Sequence, residues 1–80
     1  MNRDIDIGLV RTFLAVVELG GVTAAANSLG VSQAAASQQI KRLEQTLDCR
    51  LFERRGRQLE LAPAGERLLA QARRLVAQND

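Results

Sequence analysis

Glycine stops divide the first half of this chain so closely that few folds remain open to it. Between Gly20-Gly21 and Gly30 lie only eight residues, Val22 to Leu29. Glycine takes the positive φ of a helix C-terminal cap without steric cost, so both sites end whatever helix precedes them. Ahead of the first stop, Leu9, Val10, Phe13, Leu14, Val16 and Val17 recur with helical spacing. They predict a helix over Ile7–Leu19 that is packed on more than one side. The eight residues predict a short second helix with Ala25, Ala26 and Leu29 turned inward, its alanines admitting close neighbours. Gly30 and Val31 then form a tight turn. Ser32 is a natural N-cap, since its hydroxyl can accept from a free amide of the first turn. It opens a third helix ending at Leu47, where Asp48 can take the left-handed cap conformation.

A short helix, a glycine-containing turn and a longer helix follow the pattern of a helix-turn-helix. The third helix, within "VSQAAASQQIKRLEQTL", has an apolar stripe of Ala36, Ile40, Leu43 and Leu47. Beside the stripe lie Gln33, Ala34, Ser37, Gln38 and Lys41, which are small or amide-bearing and include a single charge. Gln33, Ser37 and Lys41, spaced by four, stack on one face opposite Ile40 and Leu43. In a helix-turn-helix, the early residues of the second helix meet base edges in the major groove. Gln33 suits an adenine edge, Ser32 and Ser37 can bond several bases, and Ala34 can touch a thymine methyl. Lys41 and Arg42 come later along the helix, where phosphates are the expected partners.

"CRLFERRGRQLEL", residues 49–61, reads as a small hairpin. Leu51 and Phe52 start one extended run, Leu59 and Leu61 form another, and Arg55-Gly56-Arg57 lies between. A wing tipped by Arg54, Arg55 and Arg57 can reach a phosphate or a narrow minor groove. Pro63 sits at the start of a last helix, where its missing N–H costs nothing. Leu68, Leu69, Ala72, Leu75 and Val76 make one stripe along that helix. It predicts either packing back on the first helix or, the favoured expectation, pairing with a second copy. The helix meets the end of the chain without a capping signal, so continuation beyond Asp80 is expected.

Charge and composition narrow the function. The net charge is +2 over 80 residues, but residues 1–31 carry −1, residues 32–57 carry +3 and residues 58–80 carry none. Positive charge gathered in one stretch suits docking to a polyanion. With no histidine, no tyrosine and one cysteine, the chain lacks the groups of an enzyme or a metal centre, and no cofactor is expected. Cys49, between a helix end and an apolar pair, reads as a packing residue, and one cysteine excludes an internal disulfide. Nothing resembles a signal peptide or a membrane-spanning run, so the cytoplasm is the expected compartment. The basic face of the last helix is too sparse for a membrane surface. A helical protein-interaction module without DNA binding is the alternative reading.

The motifs "TAAA", "VSQ…S.QI..LE", "LF.R" and "PAGE.LL", running from about residue 5 to 78, resemble the N-terminal domain of the LysR-type transcriptional regulators. The "SQQ", "LFERRGR" and "ARRLVAQND" segments are similar to the HexA, LrhA and PecT branch. The resemblance implies a mainly α fold: a winged helix-turn-helix of three helices and a two-stranded wing over residues 1–62. A linker helix over 63–80 would join two subunits, and a larger effector-binding domain, absent here, would follow. It implies double-stranded DNA as partner and a homodimer on a roughly palindromic site. By the same resemblance Ser32, Gln33, Ala34, Ser37 and Gln38 face bases. Thr23 and Lys41 lie near phosphates, and Arg54, Arg55 and Arg57 on the wing. The family usually carries proline at 34, an aliphatic residue at 36 and often arginine at 38. Gln38 therefore removes a positive group from the groove face, and Ala62 removes a threonine cap from the linker helix.

Overall fold

Each of the first three helices ends where its capping residue stands. The computed structural model describes residues 6–79. It has the order α1 (Ile7–Leu19), α2 (Val22–Leu29), α3 (Gln33–Leu47), β1 (Phe52–Arg55), β2 (Gln58–Leu61) and α4 (Pro63–Asn79). At the end of α1, Gly20 adopts φ 83°, and the Gly20 and Gly21 amides both turn back to the Val16 carbonyl oxygen. Ser32 Oγ accepts from the Ala35 amide at 3.0 Å, and Asp48 closes α3 in the left-handed region at φ 55°. A cap the sequence reading missed opens α1, where Asp6 Oδ1 accepts from the Gly8 amide at 2.8 Å. Asp is among the preferred capping residues, so the signal was present immediately before Ile7.

The core lies where α1 meets the other elements. Val10, Phe13, Leu14 and Val16 of α1 are buried with Ala25 of α2, Ile40 and Leu43 of α3, Leu51, and Leu68 and Ala72 of α4. Phe13 and Phe52 pack with ring centroids 5.5 Å apart and planes tilted by 48°, which ties the wing's base to α1. Such a pair contributes about 0.5–1.5 kcal/mol beyond its buried area. Thr12 is the buried polar member of α1, and its one hydroxyl proton is shared by the Gly8 carbonyl oxygen at 3.1 Å and Oε1 of Gln39. The second of these acceptors belongs to α3, so a polar link as well as apolar packing fixes α3 against α1.

Three expectations are revised. Leu29 is not inward but 40% exposed, as the last residue of α2. The hairpin loop is two residues, Gly56-Arg57, and Arg55 belongs to β1, paired with Gln58. Gly56 at φ 63° takes the first loop position, where a tight hairpin turn demands positive φ. The stripe on α4 also has an internal partner: Leu68 and Ala72 are buried in the core, and Leu69 is half-buried against it. Packing on α1 takes up the first half of that stripe. The side chains of Leu75 and Val76 lie outside the described residues.

Where α4 begins, it crosses the backbone that leads into the wing. The Ala62 amide donates to the Leu51 carbonyl oxygen at 2.9 Å. Three residues further, Gly65 is buried, and a Cβ there would lie 2.2 Å from that same oxygen. Among the described residues no helix is long and apolar enough to cross a membrane.

Candidate nucleic-acid interface

The exposed side of α3 follows from what its apolar stripe buries. With Ala36, Ile40 and Leu43 inward, Ala34, Ser37, Gln38, Lys41 and Gln45 are left exposed to solvent. At about 100° per residue, Ala34, Gln38 and Gln45 stand most directly opposite the stripe. Gln33 and Ser37 sit on one flank of this face, not at its centre as their four-residue spacing suggested. That flank is the one turned toward the wing.

Gln33 lies in an open cleft of about 780 Å³ between the start of α2, the start of α3 and the wing. Thr23, Ala24 and Asn27 of α2 line one wall, and Arg54, Arg57, Gln58 and Leu59 of the wing line the other. α2 starts at Gly21 with no side-chain cap, so its first-turn amides have no side-chain acceptor. The cleft thus combines helix-start amides, a hydroxyl, three amide side chains and two guanidinium groups, a set of donors suited to an anionic, hydrogen-bonding polymer.

Hairpin register decides which arginines take part. Phe52 pairs with Leu61 and Arg54 with Leu59, so Arg54 shares the face that carries the wing's apolar residues toward the body. Arg55 points the other way, its Nε 3.3 Å from Oε1 of Glu60. Of the three wing arginines named from sequence, Arg54 and Arg57 line the cleft and Arg55 does not. Arg42 is also set apart, on the opposite flank of α3 beside Arg11, Leu29 and Val31. Lys41 sits nearer the C-terminal end of α3, with Arg50 and Cys49 in a shallow depression. Ser32 is exposed, with its oxygen already accepting the cap bond, which leaves its proton available to a further acceptor. Cys49 is partly buried against the core, as expected of a packing residue.

The sequence reading missed Asn27 and Gln58 as cleft residues. Asn27 follows Thr23 by four on a helix, and that spacing was the available signal. Gln58 had none, because its place depends on where the hairpin turns.

Residues 7–66 match the family described as "Bacterial regulatory helix-turn-helix protein, lysR family". The chain is 42% identical over 80 residues to the HTH-type transcriptional regulator DgdR of Burkholderia cepacia, covering 100% of this chain and 27% of that protein. It is likewise 42% identical over 77 residues to the HTH-type transcriptional regulator PecT of Dickeya dadantii (strain 3937), covering 96% of this chain and 24% of that protein. The chain therefore spans about a quarter of the length of these curated relatives. Among solved structures, the DNA-binding domain of CbnR in its DNA complex superposes with a TM-score of 0.86 at 38% identity, covering 92% of this chain and 85% of that one. The fold is a winged helix-turn-helix, and the relatives are regulators and not enzymes. The chain belongs to the lysR family of bacterial regulatory helix-turn-helix proteins.

Proposed function

We propose that this chain is the DNA-binding part of a transcriptional regulator, entering the major groove with the first two turns of α3 and touching the adjacent backbone or minor groove with Arg54 and Arg57. The observation that carries this reading is the shared cleft of Gln33, Thr23, Arg54 and Arg57, with Ala34, Ser37 and Gln38 exposed beside it. Gln33, Ala34, Ser37 and Gln38 act as the base readers, with the Ser32 hydroxyl as a donor at the helix start. Thr23 and the first amides of α2 hold a phosphate, and Lys41 adds charge further along α3. CbnR's domain, similar in fold and size, is seen with DNA, which supports the same use here.

Selection of bound duplexes from random-sequence DNA tests the reading directly. Gln33→Ala is expected to relax selectivity at one base step by about 1–3 kcal/mol while leaving affinity for mixed-sequence duplex nearly unchanged. Equal weakening on every sequence would remove the base-reading role of Gln33. Absence of binding to any duplex at low salt would instead favour the protein-interaction module.

We also propose a homodimer formed along α4 by Leu69, Leu75 and Val76, since Leu68 and Ala72 serve the internal core. Twofold pairing presents two copies of α3 to half-sites about 34–36 Å apart, or a multiple of that, on a roughly palindromic site. Sedimentation equilibrium at tens of micromolar is expected to give the dimer mass, and a strict monomer removes the α4 pairing. The regulator works in the cytoplasm, and its effector domain lies in the larger part of the relatives' length that this chain does not span.

A further inference from the structure

Besides apolar packing of Leu51 with Ile40 and Leu43, a polar contact ties the base of the wing to α3. The Leu51 amide donates to Oε2 of Glu44 at 2.8 Å, and the Cys49 amide donates to the Glu44 carbonyl oxygen at 3.1 Å. Glu44 thus holds two amides of the four-residue connection, 48–51, between α3 and the wing. Leu51 is fully buried, and its carbonyl oxygen accepts from Ala62, which adds one rung below the Phe52–Leu61 pair at the hairpin's base.

Gln33 and Glu44 are eleven residues apart, about three helical turns, and so lie on the same flank of α3. The wing runs back along that flank. Its base is fixed at Glu44 and its tip arginines stand across the cleft from Gln33. Four residues per strand give a lever of about 13 Å, so a tilt of about 5° at the base moves the tip by about 1 Å. Charge-assisted hydrogen bonds to phosphate are made at about 2.7–2.9 Å, and a displacement of that size breaks them.

We infer that Glu44 is a positioning residue for DNA binding: its carboxylate sets the angle of the wing to α3, so that Arg54 and Arg57 meet the backbone while Gln33 meets a base. This rests on the DNA-binding reading above. Glu44 itself touches no DNA; it closes the "VSQ…S.QI..LE" motif, but its place on the helix does not show its bond to the Leu51 amide.

A double-mutant cycle on the full 80-residue chain tests the coupling. The probes are one duplex selected by this chain from random sequence and one mixed-sequence duplex, each titrated at two salt concentrations. Glu44→Ala is expected to weaken binding to both duplexes by about tenfold, since an unsatisfied amide at the wing base releases the wing, and to lower the salt slope by about one to two. The ratio between the two duplexes, which reports base reading by α3, stays the same. Arg54→Ala costs at least about threefold in the unsubstituted chain, but less than about twofold when Glu44→Ala is already present. Glu44→Gln keeps an acceptor for the Leu51 amide and stays within about twofold of the parent. If E44A does not fold, E44D, which retracts the acceptor by one methylene, enters the same cycle. Equal Arg54→Ala losses in both backgrounds, or an E44Q as weak as the variant that lacks the acceptor, would overturn the coupling alone. Failure of the unsubstituted chain to bind either duplex would overturn the DNA reading and the coupling with it.

Discussion

Gly65→Ala is expected to unfold this domain more readily by about 2–3 kcal/mol, the upper part of the range for overpacking a filled site. Two effects oppose the loss. Alanine is the better helix former by about 1 kcal/mol, and it restricts the unfolded chain by a further 0.4–1 kcal/mol or so. The clash still wins, because the new Cβ would stand 2.2 Å from a backbone oxygen, that of Leu51, and 2.7 Å from Cδ2 of Leu61. A methyl has no rotamer with which to avoid it, and Leu51 cannot withdraw without losing the bonds to Ala62 and Glu44. The helix α4 must therefore lift, drawing Leu68 and Ala72 out of the core. For a domain of this size the midpoint should fall by on the order of 10–20 °C. Urea and thermal unfolding measure it, with Ala70→Gly as a comparison at an exposed position of the same helix, costing about 1 kcal/mol. A Gly65→Ala variant as stable as the parent would mean that α4 does not cross Leu51 as described.

Gly65 also shows where sequence reading stops. The ends of α1, α2 and α3 were legible because capping is local chemistry. Gly20, Gly30 and Asp48 each carry a positive φ, and the Ser32 side chain reaches an amide three residues away. The core stripe of α3 was legible for the same reason, since Ala36, Ile40 and Leu43 are set by helical period alone. Gly65 lies in the first turn of a helix, where no cap or turn calls for a glycine, and the approach of Leu51 from another element explains it. Glu44 and Gln39 were illegible in the same way, because their partners, the Leu51 amide and Thr12, are non-local. On the wing, composition gave three arginines but not their direction. A loop one residue shorter than expected fixed the register, and register turned Arg55 away.

That difference in direction sets the second large effect, which salt dependence can read. Each phosphate neutralised by a side chain contributes about 0.9 to the slope of log affinity against log salt. Arg54 and Arg57 line the cleft with Gln33, so the double substitution to alanine is expected to lower the slope by about two. Affinity at low salt should fall by about ten- to a hundredfold on every sequence alike, because phosphates carry no sequence information. Arg55→Ala removes the same formal charge per residue from the same hairpin. Its guanidinium, however, is turned to Glu60 on the far face, with Arg55 largely and Glu60 partly in water. An exposed pair of this kind is worth about 0–1 kcal/mol to the fold. A charge beyond the Debye length of about 8–10 Å from the DNA adds little to binding. Arg55→Ala is therefore expected to leave the slope within about 0.3 of the parent and affinity within about threefold. Fluorescence anisotropy on one mixed-sequence duplex across a salt series compares all three chains. An equal loss of slope per arginine removed in the double substitution and in Arg55→Ala would show that net charge, and not the register of the hairpin, governs how the wing meets DNA.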